Sequence, residues 1–157
     1  MTVLDVGRVL ASPLARAVDT AATIARALDV PHAPDPRFTD RDYGPWTGHL
    51  RQEVVDRFGS VDAAPGVEPT GDVVLRVRPA LDAVLEEESG TVAIVTHDAV
   101  IRPLLVALDP RIGSIRAPNG SWNELIRTDT GWHVPQFDRQ PADGRPSAAE
   151  KQIPKTP

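Results

Sequence analysis

Polar side chains of the kinds that bind phosphate follow two apolar segments of this sequence. Arg16 comes shortly after Val6–Ala11, and His97 comes directly after Thr91–Thr96. A guanidinium offers a planar fork of donors that suits phosphate oxygens, and a histidine can donate a hydrogen bond or hold a proton near neutral pH. The loop Thr39–Gly44 supplies carboxylates, and a carboxylate above such a site could act as a general acid towards a leaving oxygen. These residue types predict a site for a phosphate anion.

The elements around these residues predict how they are brought together. Both apolar segments have the composition of buried strands, and each is followed by an amphipathic helical pattern, Leu14–Leu28 and Ala99–Leu108. Ser12 is expected to be the N-cap of the first of these helices. Ligands of parallel α/β sheets bind beyond the carboxyl ends of the strands, so both junctions should open onto one edge.

The rest of the chain completes an α/β pattern. Residues 31–49 read as loop, 51–58 and 72–88 as helices, and 120–136 as a hairpin. Pro79 is expected to kink or split the second of these helices. The fold class predicted is a three-layer α/β/α arrangement with a mostly parallel sheet. Residues 1–138 are expected to form one domain, and the polar, proline-rich residues 139–157 a disordered tail.

Composition excludes several classes of function. A chain of 157 residues, 41% apolar and 25% charged, suits one soluble domain with its own core. Its net charge of −5 argues against non-specific nucleic-acid binding. The absence of cysteine excludes a thiolate nucleophile and cysteine-ligated zinc. No apolar run approaches membrane-spanning length and no signal peptide is evident, so a cytoplasmic protein without a membrane partner is expected.

Each candidate residue also has a structural interpretation. Arg16 could make an ordinary i, i+3 pair with Asp19 on the helix surface. His97 could be a buried histidine bonded to backbone, and Asp40 and Asp42 are common turn residues. The three remaining histidines are expected to be solvated, and their spacing indicates no metal site; they are His32, His49 and His133.

Four segments, taken in order, resemble the motifs of a known family. Ser12–Thr20 (Ser-Pro-Leu-x-Arg-Ala-x-x-Thr) and Thr96–Arg102 (Thr-His-Asp-Ala-Val-Ile-Arg) are similar to the second and last signatures of the histidine phosphatase superfamily. Asp40–Gly48 resembles its acidic loop, and Glu68–Val77 the segment that opens its next helix. The resemblance runs from about residue 5 to residue 137 and implies a phosphoglycerate mutase-like fold.

The resemblance also implies roles for three residues. In such enzymes a neutral histidine attacks phosphorus and becomes phosphohistidine, while arginines and a second histidine hold the phosphoryl oxygens. By motif match, Arg16 is the phosphate clamp and His97 the second histidine. Asp40 stands where the catalytic acid is usually glutamate, and Asp98 stands where glycine commonly follows the histidine. Neither a metal nor another cofactor is expected.

One departure from the family pattern concerns the nucleophile. Enzymes of this family carry Arg-His-Gly at the end of their first strand, and this sequence contains no Arg-His-Gly. Since the resemblance starts at the family's second strand, we expect the chain to be a fragment or a late gene start, lacking the first strand and inactive as written. An open sheet edge could then pair with a second chain.

Three functions therefore stay open on the sequence. The first is phosphomonoester hydrolysis, at the level of the family, on a phosphorylated small molecule. The second is a module that binds phosphate or a phospho-ligand without catalysis. The third is a structural partner that forms a homodimer through its sheet edge.

Overall fold

The computed structural model describes residues 5–140. The strands and helices in this part of the chain are Val6–Ala11 (β1), Ala15–Leu28 (α1), His32–Pro34 (β2), Arg51–Phe58 (α2), Thr70–Glu87 (α3), Thr91–Val95 (β3), Asp98–Leu108 (α4), Trp122–Thr128 (β4) and Gly131–Arg139 (β5). Short 3-10 turns lie at 36–38, 44–46 and 110–112.

A parallel sheet of order β2-β1-β3 forms the centre of the fold. In its register Leu10 lies beside Ala33 of β2 and beside Ile94 of β3, so β1 is paired along both edges. Parallel neighbours need crossover connections, which α1 supplies between β1 and β2 and which α2 and α3 supply between β2 and β3. The strands β4 and β5 form a separate antiparallel hairpin.

Helices cover both faces of this sheet. Since side chains of β1 alternate between the two faces, this strand packs against both helix layers. Val9 and Ala11 pack with Ala21 and Ala25 of α1 on one face. Leu10 packs on the other face against α3 and α4, in a core that the hairpin residues Trp132 and Val134 also join. The predicted three-layer α/β/α class is therefore confirmed.

Most predicted elements are present, with local corrections. The strand β1 and the helix α2 have the predicted bounds. Pro79 does not split α3, because it is exposed while buried residues on the opposite face, such as Val77 and Leu81, hold the helix against the core. Ser12 is not the N-cap of α1: the helix begins at Ala15 and Leu14 occupies the cap position. The strand β2 was not predicted, because its three residues follow one proline and end in another, and so carry little pattern.

Two further points concern the chain as a whole. The hairpin strand β5 runs to Arg139, and the predicted tail lies outside the described residues from 141 onward. No helix within residues 5–140 is both long enough and apolar enough to cross a membrane.

Candidate functional site

The carboxyl ends of β1 and β3 lie side by side and place the candidate residues. Ala11 and Val95 are register partners, and the N–H of Ser12 donates to the carbonyl of Val95 at 2.8 Å. The segments that follow β1 and β3 therefore leave the sheet at the same edge. The loop before Asp40 is fastened there as well, because Thr96 Oγ1 donates to the carbonyl of Phe38 at 2.8 Å.

Four side chains meet at this edge. Arg16 Nη2 lies 2.7 Å from Asp40 Oδ2 and 3.1 Å from His97 Nδ1. On the far side of the imidazole, His97 Nε2 lies 2.8 Å from Ser12 Oγ. Ser12, Asp40 and His97 are buried, whereas 47% of the Arg16 side chain is exposed. The three residues chosen from the sequence therefore come together, with an arginine facing solvent above two buried polar groups.

The hydrogen bonds of His97 determine its tautomer. A guanidinium only donates, so Nδ1 of His97 accepts from Arg16 and the ring proton lies on Nε2, from which it donates to Ser12 Oγ. Burial, with a further contribution from the charge of Arg16, lowers the pKa of His97 to about 4, against the opposing effect of Asp98. The imidazole is therefore neutral at physiological pH, and its 3.4 Å approach to Asp40 is not an ion pair there.

Asp40 has the opposite perturbation. Burial raises the pKa of Asp40 to about 6, although the N–H of Arg41 and the charge of Arg16 both lower it; Asp98 adds to the increase. A carboxyl group with this pKa can hold or release a proton close to neutral pH, as a general acid and base must. Two titratable groups with pKa values pushed in opposite directions thus lie 3.4 Å apart.

Asp98 lies near the site, where its charge raises the pKa of Asp40, whereas the histidines other than His97 lie in other parts of the fold. Arg16 reaches across to the loop and not along its helix to Asp19, and the carboxylate of Asp98 lies 3.4 Å from Arg102 Nη2. Within residues 5–140, which include every histidine of the chain, only His97 lies at this edge. His49 contacts Trp46, His133 accepts from Arg111, and His32 is the exposed first residue of β2, beside Val9 of β1. The described residues include no cluster of three His, Asp or Glu that could hold a metal ion.

Ser12, which was expected to be a helix cap, is a site residue that was not predicted from the sequence. Its hydroxyl is fully buried and accepts the Nε2 proton of His97; its contact with the N–H of Leu14, at 3.4 Å, is long. The available signal was its position directly after β1, beside the strand that precedes His97, because residues at adjacent strand ends are neighbours in a parallel sheet.

Comparison with known proteins agrees with this architecture. Residues 2–139 match the family model described as the histidine phosphatase superfamily (branch 1). The "Bifunctional protein Rv2228c" of Mycobacterium tuberculosis is 35% identical over 119 residues, covering 69% of this chain and 33% of that protein. The chain thus spans about a third of the length of the first curated relatives. The "Uncharacterized phosphatase PhoE" of Bacillus subtilis is 28% identical over 134 residues, covering 83% of this chain and 69% of that protein.

Solved structures show the same fold. A mycobacterial glucosyl-3-phosphoglycerate phosphatase, Rv2419c, in complex with inorganic phosphate superimposes with a TM-score of 0.70 at 22% identity, covering 84% of this chain and 76% of that one. A phosphoglycerate mutase from Bacillus anthracis str. Sterne gives 0.72 at 18% identity, covering 83% and 71%. The fold is that of phosphoglycerate mutase-like proteins, and the family match extends over most of the chain. The chain therefore belongs to the histidine phosphatase superfamily, branch 1.

Proposed function

We propose that the edge formed by Ser12, Arg16, Asp40 and His97 binds the phosphoryl group of a phosphomonoester on a small molecule. The observation that carries this proposal is the meeting of a half-exposed guanidinium with a neutral imidazole and a carboxyl group of raised pKa. An incoming phosphate oxygen replaces Asp40 as the partner of Arg16 Nη2, and the N-terminal ends of α1 and α4 favour the negative charge.

The chemistry that suits these groups is hydrolysis through a phosphohistidine. In the family's reaction another histidine, which the site described here does not contain, attacks phosphorus and breaks the ester bond, and the leaving alkoxide would take the proton of the Asp40 carboxyl group. A water then attacks the phosphohistidine, giving its proton back to Asp40 and releasing phosphate. Arg16 donates to the oxygens on which charge develops, and His97 does so once its ring proton lies on Nδ1 instead of Nε2. The pKa of about 6 lets Asp40 serve in both steps.

We further propose that the 157-residue chain holds a phosphoryl group without cleaving it. The sequence contains no Arg-His-Gly, and His97, the histidine at this edge, has one nitrogen facing Arg16 and the other facing Ser12. Because Nε2–H donates to Ser12 and Nδ1 accepts from Arg16, neither nitrogen of this ring is free to attack phosphorus. A non-catalytic phosphate-binding module is the second candidate function, and the same arrangement of His97 favours it.

Two measurements on the purified chain test these proposals. Calorimetric titration with inorganic phosphate should show binding that Arg16→Ala abolishes, while Arg26→Ala, an exposed arginine of the same helix, leaves it unchanged. Absence of binding by the unaltered chain would contradict the phosphate site. In parallel, hydrolysis of an aryl phosphate should be absent; turnover that disappears in His97→Ala would contradict the inactivity and identify His97 as the nucleophile.

Location and assembly remain predictions. We propose that the protein is cytoplasmic and that its partner is a phosphorylated small molecule. We also propose that it assembles as a homodimer. Sedimentation of the chain tests the dimer, since a single species of 16.9 kDa would exclude it.

A further inference from the structure

Arg76 of α3 reaches beneath the loop that carries Asp40. Its Nη1 and Nη2 both donate to the carbonyl of Thr39 at 3.1 Å, and Nη2 also donates to the carbonyl of Asp40 at 2.9 Å. These carbonyls belong to neither a helix nor a strand. Buried backbone acceptors need partners, and a single guanidinium supplies them for two consecutive residues.

Glu68 holds this guanidinium and the other side of the loop together. Its carboxylate accepts from Arg76 Nε at 2.7 Å and from the N–H of Asp42 at 3.0 Å. Its own N–H donates to the carbonyl of Asp42 at 2.8 Å, and its carbonyl accepts from Arg41 Nε at 2.6 Å. Burial raises the pKa of Glu68, but the bonds from Arg76 and Asp42 outweigh it and lower the pKa overall, so the group is ionised at neutral pH.

The backbone of Asp40 is therefore fixed on both sides. Arg76 holds the carbonyls at 39 and 40, and Glu68 holds both polar backbone groups of Asp42. With its backbone fixed, the Asp40 side chain points into the site, where Oδ1 accepts from the N–H of Arg41 at 2.8 Å and Oδ2 accepts from Arg16. Arg76 and Glu68 together form the anchor of this loop, and the anchor contacts Asp40 only at the Asp40 backbone.

We propose that Arg76 and Glu68 are positioning residues that hold the carboxyl group of Asp40 inside the phosphate site. This inference rests on the proposed function, in which Asp40 is the titratable partner of Arg16 in the phosphate site. The charge of Arg76 is not among the main influences on Asp40. The groups that face the carboxyl group are Arg16 from α1, Tyr43 and the N–H of Arg41 from the loop, and His97 and Asp98 at the start of α4. Loss of the anchor should therefore act by letting Asp40 leave its buried position.

The experiment follows the side chain of Asp40 by NMR in protein carrying carbon-13 aspartate. In the unaltered chain the Asp40 carboxyl group should titrate near pH 6. In Arg76→Gln, which can satisfy only part of the anchor, the midpoint should fall to about 4–5, the range of an exposed aspartate. Arg78→Gln is the matched control, because Arg78 is an exposed arginine on the same helix. Thermal unfolding confirms that each variant is folded.

A second readout connects the anchor to the site. The affinity for sulfate, which stays a dianion between pH 5 and 8, should increase about tenfold in the unaltered chain as Asp40 is protonated and releases Arg16. In Arg76→Gln this dependence should flatten above pH 5. A folded Arg76→Gln in which both the Asp40 midpoint and the sulfate profile are unchanged would overturn the proposal.

A second variant and a separate binding outcome complete the test of Arg76. If Arg76→Gln does not fold, Arg76→Lys is judged by the same criteria, since an ammonium group keeps the charge but cannot reach both carbonyls and Glu68 in the same geometry. If the unaltered chain binds neither sulfate nor phosphate, the proposed function fails, whereas the Asp40 titration still decides whether Arg76 positions the carboxyl group.

Discussion

Replacing Asp40 with asparagine should stabilise the folded protein at neutral pH. Asparagine has the shape of the protonated acid and keeps an oxygen that can accept the N–H of Arg41, but it carries no charge. Its NH2 group replaces the oxygen that accepts from Arg16, and Arg16, whose side chain is 47% exposed, can turn its donors to water instead. The carboxylate of Asp40 is buried, and burial is the main reason that its pKa is raised. The variant therefore removes a charge that the folded state disfavours.

The size and sign of the effect follow from linkage. The pKa of Asp40 rises from 3.8 to about 6 on folding. Because the folded value is the higher one, ionisation destabilises the folded state, and this cost is absent below pH 3.8 and complete above pH 6. A difference of this size corresponds to about 3 kcal/mol at most. Asp40→Asn should thus gain about 2–3 kcal/mol at pH 7.5 and about 0.5 kcal/mol or less at pH 4.

Urea denaturation of both chains at the two pH values measures this difference. Asp42→Asn is the matched control, because it removes an exposed carboxylate from the same loop and should change the free energy of unfolding by less than about 0.5 kcal/mol. A loss of stability in Asp40→Asn at pH 7.5, or a gain of equal size at both pH values, would show that burial is not the main influence on the pKa of this carboxyl group.

Three further predictions concern the surroundings of the site. Ser12→Ala leaves the buried Nε2 proton of His97 without its acceptor and should lower the free energy of unfolding by about 1–3 kcal/mol in urea denaturation; an unchanged value would contradict the assigned tautomer. The ring of His97 should titrate by NMR near pH 4; since the ordinary value is 6.5, this group removes stability as the pH falls from 6.5 to about 4, and a midpoint above 6 would contradict its burial. Gly44→Ala should cost about 2–3 kcal/mol, because its φ is +52° and an added Cβ would overlap the Gly66 carbonyl oxygen. Gly59→Ala, at φ +82° with open space around it, should cost about 1 kcal/mol, and equal thermal unfolding of these two variants would exclude the close contact.

The sequence was informative where one pattern determined one element. The apolar run of β1 and the periodicity of α1 and α2 fixed those elements, and strand-end positions correctly brought Arg16 and His97 to one edge. The resemblance added Asp40, which composition alone could not distinguish from an ordinary turn residue. Its contact with Arg16 at 2.7 Å now distinguishes it.

Features that depend on tertiary contacts were not predictable. Ser12 had the sequence context of a helix cap, and only the neighbouring strand end showed that its hydroxyl serves His97 instead. The anchoring contacts of Arg76 depend on a loop 36 and 37 residues away in sequence. Pro79 was expected to kink or split its helix; it does not split it, because α3 runs unbroken from Thr70 to Glu87 with its buried face packed against the core.

If Arg16, Asp40 and His97 form a phosphate site, an NMR titration of the isotope-labelled chain with inorganic phosphate should reveal it at these residues. We expect saturable shifts of the Arg16 guanidinium, the His97 ring and the backbone N–H of Ser12, and a shift of the Asp40 carboxyl group as Arg16 releases it. No shift at these groups, or shifts centred on Arg111 and His133 instead, would contradict the phosphate site.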